Sequence, residues 1–342
     1  MIRCTRAACQ PPPSRSAKWP SRKREVAPPS SLVGKWPAWL TLCVVGMLYI
    51  LPQDIATAQN LLVSEYSNER AIEFDSTGAN LGVFASHGSF SSGDRFEGMA
   101  FDANGYLYTA QGNVPGIVSR FSPTGTYLGT FATTGLSDAT DIQFDATGNL
   151  YVASFQNNTV HRFSPAGADL GVFASVPSAY NLAFARDGSL YVDSASDNTI
   201  HHFSATGVDL GALASAGSTV PAGLAFDVND NLYVAYRGNN TVRRFSPTGI
   251  DLGVFASGLN DPVGIAFDSG GELYVANIVG GNVRRFSPTG ADLGNFATGL
   301  SLPNGLVFRP SPSAVPEPGN VAALFSVMVS GGLLLRRRHR RC

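Results

Sequence analysis

The chain has 342 residues, 44% hydrophobic and 14% charged, with 37 Gly and 21 Pro, enough for one large domain or two ordinary ones. Its formal net charge of −1 hides a segregation: 13 of the 24 Lys/Arg lie in residues 1–35 and 336–342, whereas 59–310 carries 22 Asp/Glu against 11 Arg and no Lys. A body this acidic excludes non-specific nucleic-acid binding, and with all four cysteines (Cys4, Cys9, Cys43, Cys342) in the tails it excludes a disulfide scaffold or a cysteine zinc site.

Residues 1–58 read as an export signal. Arg22, Lys23, Arg24 and Lys35 precede an apolar run from Trp36 to Pro52, and Ala56-Thr57-Ala58 offers small residues for cleavage after Ala58. The alternative is a retained membrane anchor. The basic region is unusually long, which leaves room for a start downstream of Met1. A lipoprotein signal at Cys43 is rejected, because Leu42 is bulky and the apolar run continues past it.

The body, 59–310, is a repeat. The anchoring phenylalanines Phe101, Phe144, Phe184, Phe226, Phe267 and Phe308 are spaced by 43, 40, 42, 41 and 41 residues. Each unit predicts four short strands, a to d. Strand a is small and apolar (Gly264-Ile265-Ala266-Phe267), and strand b is β-branched and aromatic (Leu273-Tyr274-Val275-Ala276), suited to a sheet covered on both faces. Phe-Asp-x-x-Gly and Ser-Pro-Thr-Gly place Asp or Ser first and Gly fourth, the pattern of type I turns. A period near 41 with four strands per unit specifies a β-propeller.

Five units are complete, starting near Glu97, Thr140, Tyr180, Ala222 and Val263. Three strands before them (Leu61–Tyr66, Arg70–Asp75, Ala79–Ser86) and a lone strand after them (Gly305–Phe308) make a sixth. The prediction is an all-β, six-bladed β-propeller of four-stranded blades, its ring closed by pairing the N- and C-terminal strands. The Leu-Tyr-Val-Ala, Asn-Asn-x-Val-x-Arg-Phe and Gly-Ile-Ala-Phe-Asp segments resemble NHL repeats and the wider gluconolactonase/regucalcin-like propellers over about 250 residues. That resemblance is specific for fold; activity in such folds lies in sites grafted onto them.

The a–b and c–d turns hardly vary, whereas the b–c and d–a loops do, and these emerge on one face of the ring, where recognition is expected. Asp75, Asp102, Asp145, Asp227 and Asp268 read as turn residues. Simple hairpin register pairs Arg162 with Asp169, His202 with Asp209, Arg244 with Asp251, and Arg285 with Asp292, leaving His161, His201 and His202 as outer-strand residues. The pairs at the start of strand a are Glu97-Gly98, Thr140-Asp141, Tyr180-Asn181, Ala222-Gly223, Val263-Gly264 and Asn304-Gly305. Lactonases of the resembled group imply a divalent cation there. Glu97, Asp141, Asn181 and Asn304 would supply oxygen ligands of a mix that suits Ca2+, with Glu97 and Asn304 as the metal pair. Ala222 and Val263 depart from that pattern, and Asp141 and Asn181 sit one residue out of register; the plain alternative is a polar, water-filled channel mouth.

The sequence lacks Gly-x-Ser-x-Gly, His-Glu-x-x-His and P-loop motifs. In the tail, 311–342, Pro316-Glu317-Pro318 precedes an apolar stretch from Val321 to Leu335 and the cluster Arg336-Arg337-Arg338-His339-Arg340-Arg341. These resemble a PEP-CTERM sorting signal, which implies a short transmembrane helix, exosortase processing and delivery to a bacterial cell surface, outer membrane or matrix. The first functional expectation is a non-catalytic surface protein that binds a glycan, peptide or protein through its loops. The second is a Ca2+-dependent lactonase. RNA binding, the third, lacks a basic face.

Overall fold

A computed structural model describes residues 59–87, 95–215 and 219–310. Ala58, Pro316, Glu317, Pro318, the apolar stretch and the arginine cluster lie outside the described residues. The first blade takes β1 (Leu61–Glu65), β2 (Arg70–Phe74) and β3 (Asn80–Ser86). The second is β4 (Phe96–Phe101), β5 (Leu107–Gln111), β6 (Ile117–Phe121) and β7 (Tyr127–Ala132). The third is β8 (Ala139–Phe144), β9 (Leu150–Ser154), β10 (Thr159–Phe163) and β11 (Asp169–Ser175). The fourth is β12 (Ala179–Phe184), β13 (Leu190–Ser194), β14 (Thr199–Phe203) and β15 (Asp209–Ser215). The fifth is β16 (Pro221–Phe226), β17 (Leu232–Tyr236), β18 (Thr241–Phe245) and β19 (Asp251–Ala256). The sixth is β20 (Pro262–Phe267), β21 (Leu273–Asn277), β22 (Asn282–Phe286) and β23 (Asp292–Thr298). β24 (Pro303–Phe308) then returns to the first blade, whose strand order is β24-β1-β2-β3. All six sheets are four-stranded and antiparallel.

Closure is antiparallel, with Leu61 opposite Phe308 and Val63 opposite Leu306. Arg309 extends it: its backbone N–H donates to Asn60 and its guanidinium to Glu73. The blades are held to one another by aromatic sandwiches. Tyr274 of strand b meets Phe296 of its own blade and Phe308 of the next edge-on, at 4.9 and 5.0 Å between ring centroids. Tyr108, Tyr151 and Tyr233 repeat the arrangement. Such edge-to-face pairs add about 0.5–1.5 kcal/mol each beyond the area they bury. The turn reading holds as well: the Asp102, Asp145, Asp227 and Asp268 carboxylates each accept backbone N–H groups two and four residues on.

The cross-strand pairs expected between strands c and d do not form as simple hairpin register requires. A bulge at Asp-Leu-Gly sets Asp169 opposite Phe163, Asp251 opposite Phe245 and Asp292 opposite Phe286. The acids therefore meet His161, Arg243 and Arg284, one residue earlier than expected. The displaced Arg162, Arg244 and Arg285 lie opposite Tyr151, Tyr233 and Tyr274, and His202 stacks on Tyr191 at 4.1 Å. Gly253 shows why the bulge forms: its φ is +95°, yet a Cβ there would meet nothing within 4 Å. Conformation, not space, demands glycine at that position.

Candidate functional site

The six strands a line the central channel. Their third positions form one ring: Gly98, Asp141, Asn181, Gly223, Gly264 and Gly305. Glycine recurs because neighbouring backbones press close; a Cβ on Gly264 would overlap the Asn304 carbonyl, and one on Gly305 the Glu97 carbonyl. Asp141 and Asn181 break the ring and turn to protein partners. Asp141 Oδ2 accepts the Leu182 N–H at 2.9 Å, and Asn181 donates its N–H and Nδ2 to Asp193 at 2.6 and 2.9 Å. Burial pushes the carboxyl of Asp193 up to about 8 and that of Asp141 up to about 7. The enclosed axial space is about 40 Å³, bordered on its polar side by Thr140, Asp141, Asn181 and Asn304. It has room for a few waters and not for an organic ligand.

The mouth above it is built on a backbone bond that every blade repeats. The residue after strand b donates to the carbonyl of the residue before strand a, from Tyr66, Gly112, Phe155, Ala195, Arg237 and Ile278 to Leu302, Arg95, Asp138, Ser178, Val220 and Asp261. The frame is sixfold and its side chains are not. Glu97, only 2% exposed, is hydrogen-bonded by the Tyr180 hydroxyl, and its Oε2 has no partner. Burial, then the nearby Asp138, raises its carboxyl to about 8 against the opposing pull of Arg95. Asp138 is raised too, by burial, and its Oδ1 is unpaired. A Cβ on Gly112 would lie under 3 Å from both Glu97 Oε1 and Asp138 Oδ1, so these oxygens are within 6 Å of each other.

Around this acid pair stand half-buried aromatic and cationic groups. Arg95 lies 5.1 Å over the Tyr66 ring, and Phe155 meets Tyr180 edge-on at 6.0 Å. Arg237 is clamped in two hydrogen bonds of 2.6 Å by Asp261. Tyr66 and Tyr180 lie within reach of both Glu97 and Arg237, which sets the four on one small area.

The four residues expected at one axial ion divide between two places. Asp141, Asn181 and Asn304 line the axial space, while the Glu97 carboxyl reaches Gly112, Asp138 and Tyr180. Ala222 and Val263 pack with Ala276 as a buried apolar sector. Among the described residues, no three His, Cys, Asp or Glu side chains stand close enough to hold a metal ion. Sequence reasoning passed over Tyr66, Arg95, Asp138, Phe155 and Arg237. The signal for most of them was available: one fixed offset after strand b carries Tyr, Gly, Phe, Ala, Arg and Ile in the six blades. On the opposite face a hollow of about 410 Å³ borders Asp102, the one charged side chain lining it, and that group is committed to its own turn.

Fold and mouth together define a six-bladed β-propeller with an acid-lined axial opening on its variable loop face. No protein-family profile matches the chain, and no curated protein does. Among solved structures it is similar to a chain of a nidogen/laminin complex, at 17% identity and a TM-score of 0.65, over 74% of this chain and 99% of that one. It is also similar to a protein of unknown function from Bacteroides caccae, at 13% identity and 0.60, over 75% and 100%. A putative gluconolactonase matches at 19% identity and 0.53, over 62% of this chain and 84% of that one. At such identities the likeness is one of fold.

Proposed function

We propose that this chain is an exported recognition propeller that binds its ligand at the loop-face mouth of the channel. One observation carries the reading: the position after strand b, fixed by the same backbone bond in every blade, holds Tyr66, Gly112, Phe155, Ala195, Arg237 and Ile278, and the second position of strand a holds Glu97, Thr140, Tyr180, Ala222, Val263 and Asn304. A ring kept only for stability would repeat its side chains as it repeats its turns. The export signal ending at Ala58 and the tail with Pro316-Glu317-Pro318 support display at a bacterial surface or matrix after exosortase processing. There the partner would be a glycan, peptide or protein. That one similar propeller belongs to a nidogen/laminin complex supports a binding role at the level of fold.

The test is a binding screen of the purified protein against glycans and extracellular-matrix extract. Arg237→Ala should abolish a genuine interaction, and Arg186→Ala on the opposite face should leave it intact. Binding that survives the first substitution would sink the proposal. The second reading, a Ca2+-dependent lactonase, draws on the unpaired buried oxygen of Glu97 and on the resemblance to gluconolactonases. Ala222, Val263 and the absence of a three-ligand cluster among the described residues weigh against it. Calcium titration by calorimetry separates the two: tight 1:1 binding lost in the Glu97→Ala, Asn304→Ala double variant would put the lactonase reading first.

A further inference from the structure

The mouth also carries an unused hydrogen-bonding pair. Glu97 Oε2 is unpaired although the residue is 2% exposed, and Tyr180 already donates to the same carboxyl group. A carboxyl whose one oxygen accepts a hydroxyl and whose other oxygen has no donor in reach is arranged as a neutral acid, with its own proton to give. Asp138 Oδ1, in the same small space, is an unpaired acceptor. The site thus offers one donor and one acceptor. Its charges do not favour an ion: Arg237 is held by Asp261, and Arg95, over the Tyr66 ring, acts on both acids. The half-buried rings of Tyr66 and Phe155 border the same opening.

Resting on the binding reading above, we propose that Glu97 and Asp138 together hold two neighbouring hydroxyls of a neutral sugar ring, Glu97 donating and Asp138 accepting, with the aromatic rings of the mouth against its apolar face. A cationic or anionic ligand would leave the donor of Glu97 or the acceptor of Asp138 opposed by like polarity. The groups facing Glu97 are Tyr66, Arg95, Asp138, Asp141 and Tyr180, with Arg237 beyond the two tyrosines. Glu97 is pushed to about 8 and Asp141 to about 7, and burial moves Asp138 upward as well.

The experiment is calorimetric titration of the purified protein with glucose, galactose, mannose and their disaccharides, alongside glucosamine and glucuronate. The variants are Glu97→Gln, Glu97→Leu and Asp138→Asn, each checked by far-UV circular dichroism. Neutral sugars should bind in preference to the charged ones. Glu97→Gln, which keeps a donor, should retain affinity at pH 7, whereas Glu97→Leu should lose about tenfold or more. From pH 7 to pH 9 wild-type affinity should fall about tenfold while Glu97→Gln shows a smaller change; Asp141 titrates in both, so the difference between them reports Glu97. Absence of neutral-sugar binding, or equal loss in Glu97→Gln and Glu97→Leu, overturns the proposal. If the broader screen then yields a partner lost in Arg237→Ala, the binding reading stands and only the sugar assignment falls.

Discussion

Asp193→Asn isolates the effect of one buried acid on the stability of the ring. Asp193 is 0% exposed at a position where four other blades carry alanine (Ala110, Ala153, Ala235, Ala276). Its folded carboxyl titrates at about 8 against an ordinary 3.8, because burial disfavours the charged form more than the two hydrogen bonds from Asn181 favour it. The folded state therefore keeps its proton where the unfolded chain has released it. The stabilisation is complete below pH 4, declines as pH rises from 4 to 8, and is absent above. Four units at 1.36 kcal/mol each make this about 5 kcal/mol across the window. Asparagine still offers an oxygen to the Asn181 N–H and does not titrate. Urea unfolding followed by near-UV circular dichroism of the tyrosines should show wild type losing ground to Asp193→Asn by about 1.4 kcal/mol per pH unit between pH 5 and 8. Glu97 titrates in the same window in both proteins and cancels in the comparison, whereas Asp141, whose charge acts on Asp193, leaves the coupling between the two acids in the difference. The turn acids Asp75, Asp145, Asp187 and Asp251 are shifted downward by hydrogen bonds, so what they contribute is lost only below about pH 4. Parallel stability curves for the two proteins from pH 5 to 8 would refute the reasoning.

Three other perturbations probe the frame and the mouth. Tyr274→Ala removes the ring clasped by Phe296 and Phe308 at the closing interface and should cost about 3–5 kcal/mol in chemical denaturation, with a loss under 1 kcal/mol counting against the aromatic sandwich as the closure device. Gly253→Ala, at φ +95° with open space around it, should cost about 1–3 kcal/mol through backbone strain alone; a crystal structure showing the bulge intact alongside unchanged stability would contradict this. Gly112→Ala would drive a methyl group into Glu97 and Asp138 and should abolish ligand binding by displacing them, an outcome that calorimetry beside a thermal melt can distinguish from unfolding.

Much of this protein was legible in its sequence because a propeller blade is a local object. Phe-Asp-x-x-Gly and Ser-Pro-Thr-Gly set their turns through side chains that bond backbone two to four residues away, so strand number, blade number and the split first blade follow from spacing alone. The tyrosine of Leu-Tyr-Val-Ala announces a strand buried on both faces in the same way. Register was another matter. Arg243 and not Arg244 meets Asp251, because the positive φ of Gly253 inserts a bulge that period-2 alternation does not anticipate.

The mouth lay further still from a linear reading. Glu97 was legible as the acid at the start of a strand a, and Asn304 as its counterpart in the closing strand. Their surroundings were not, since Tyr66, Asp138, Tyr180 and Arg237 come from four different blades and converge only when the ring closes. By itself the sequence determined the repeat, the blades and the face on which variation collects, because those rest on contacts within about forty residues, and the three strands before and one strand after the complete units marked where the ring closes. Only the tertiary structure decided which variable side chains share one space, and that burial there keeps Glu97 and Asp193 protonated near neutral pH. Desolvation belongs to the assembled ring and to no single segment of the chain.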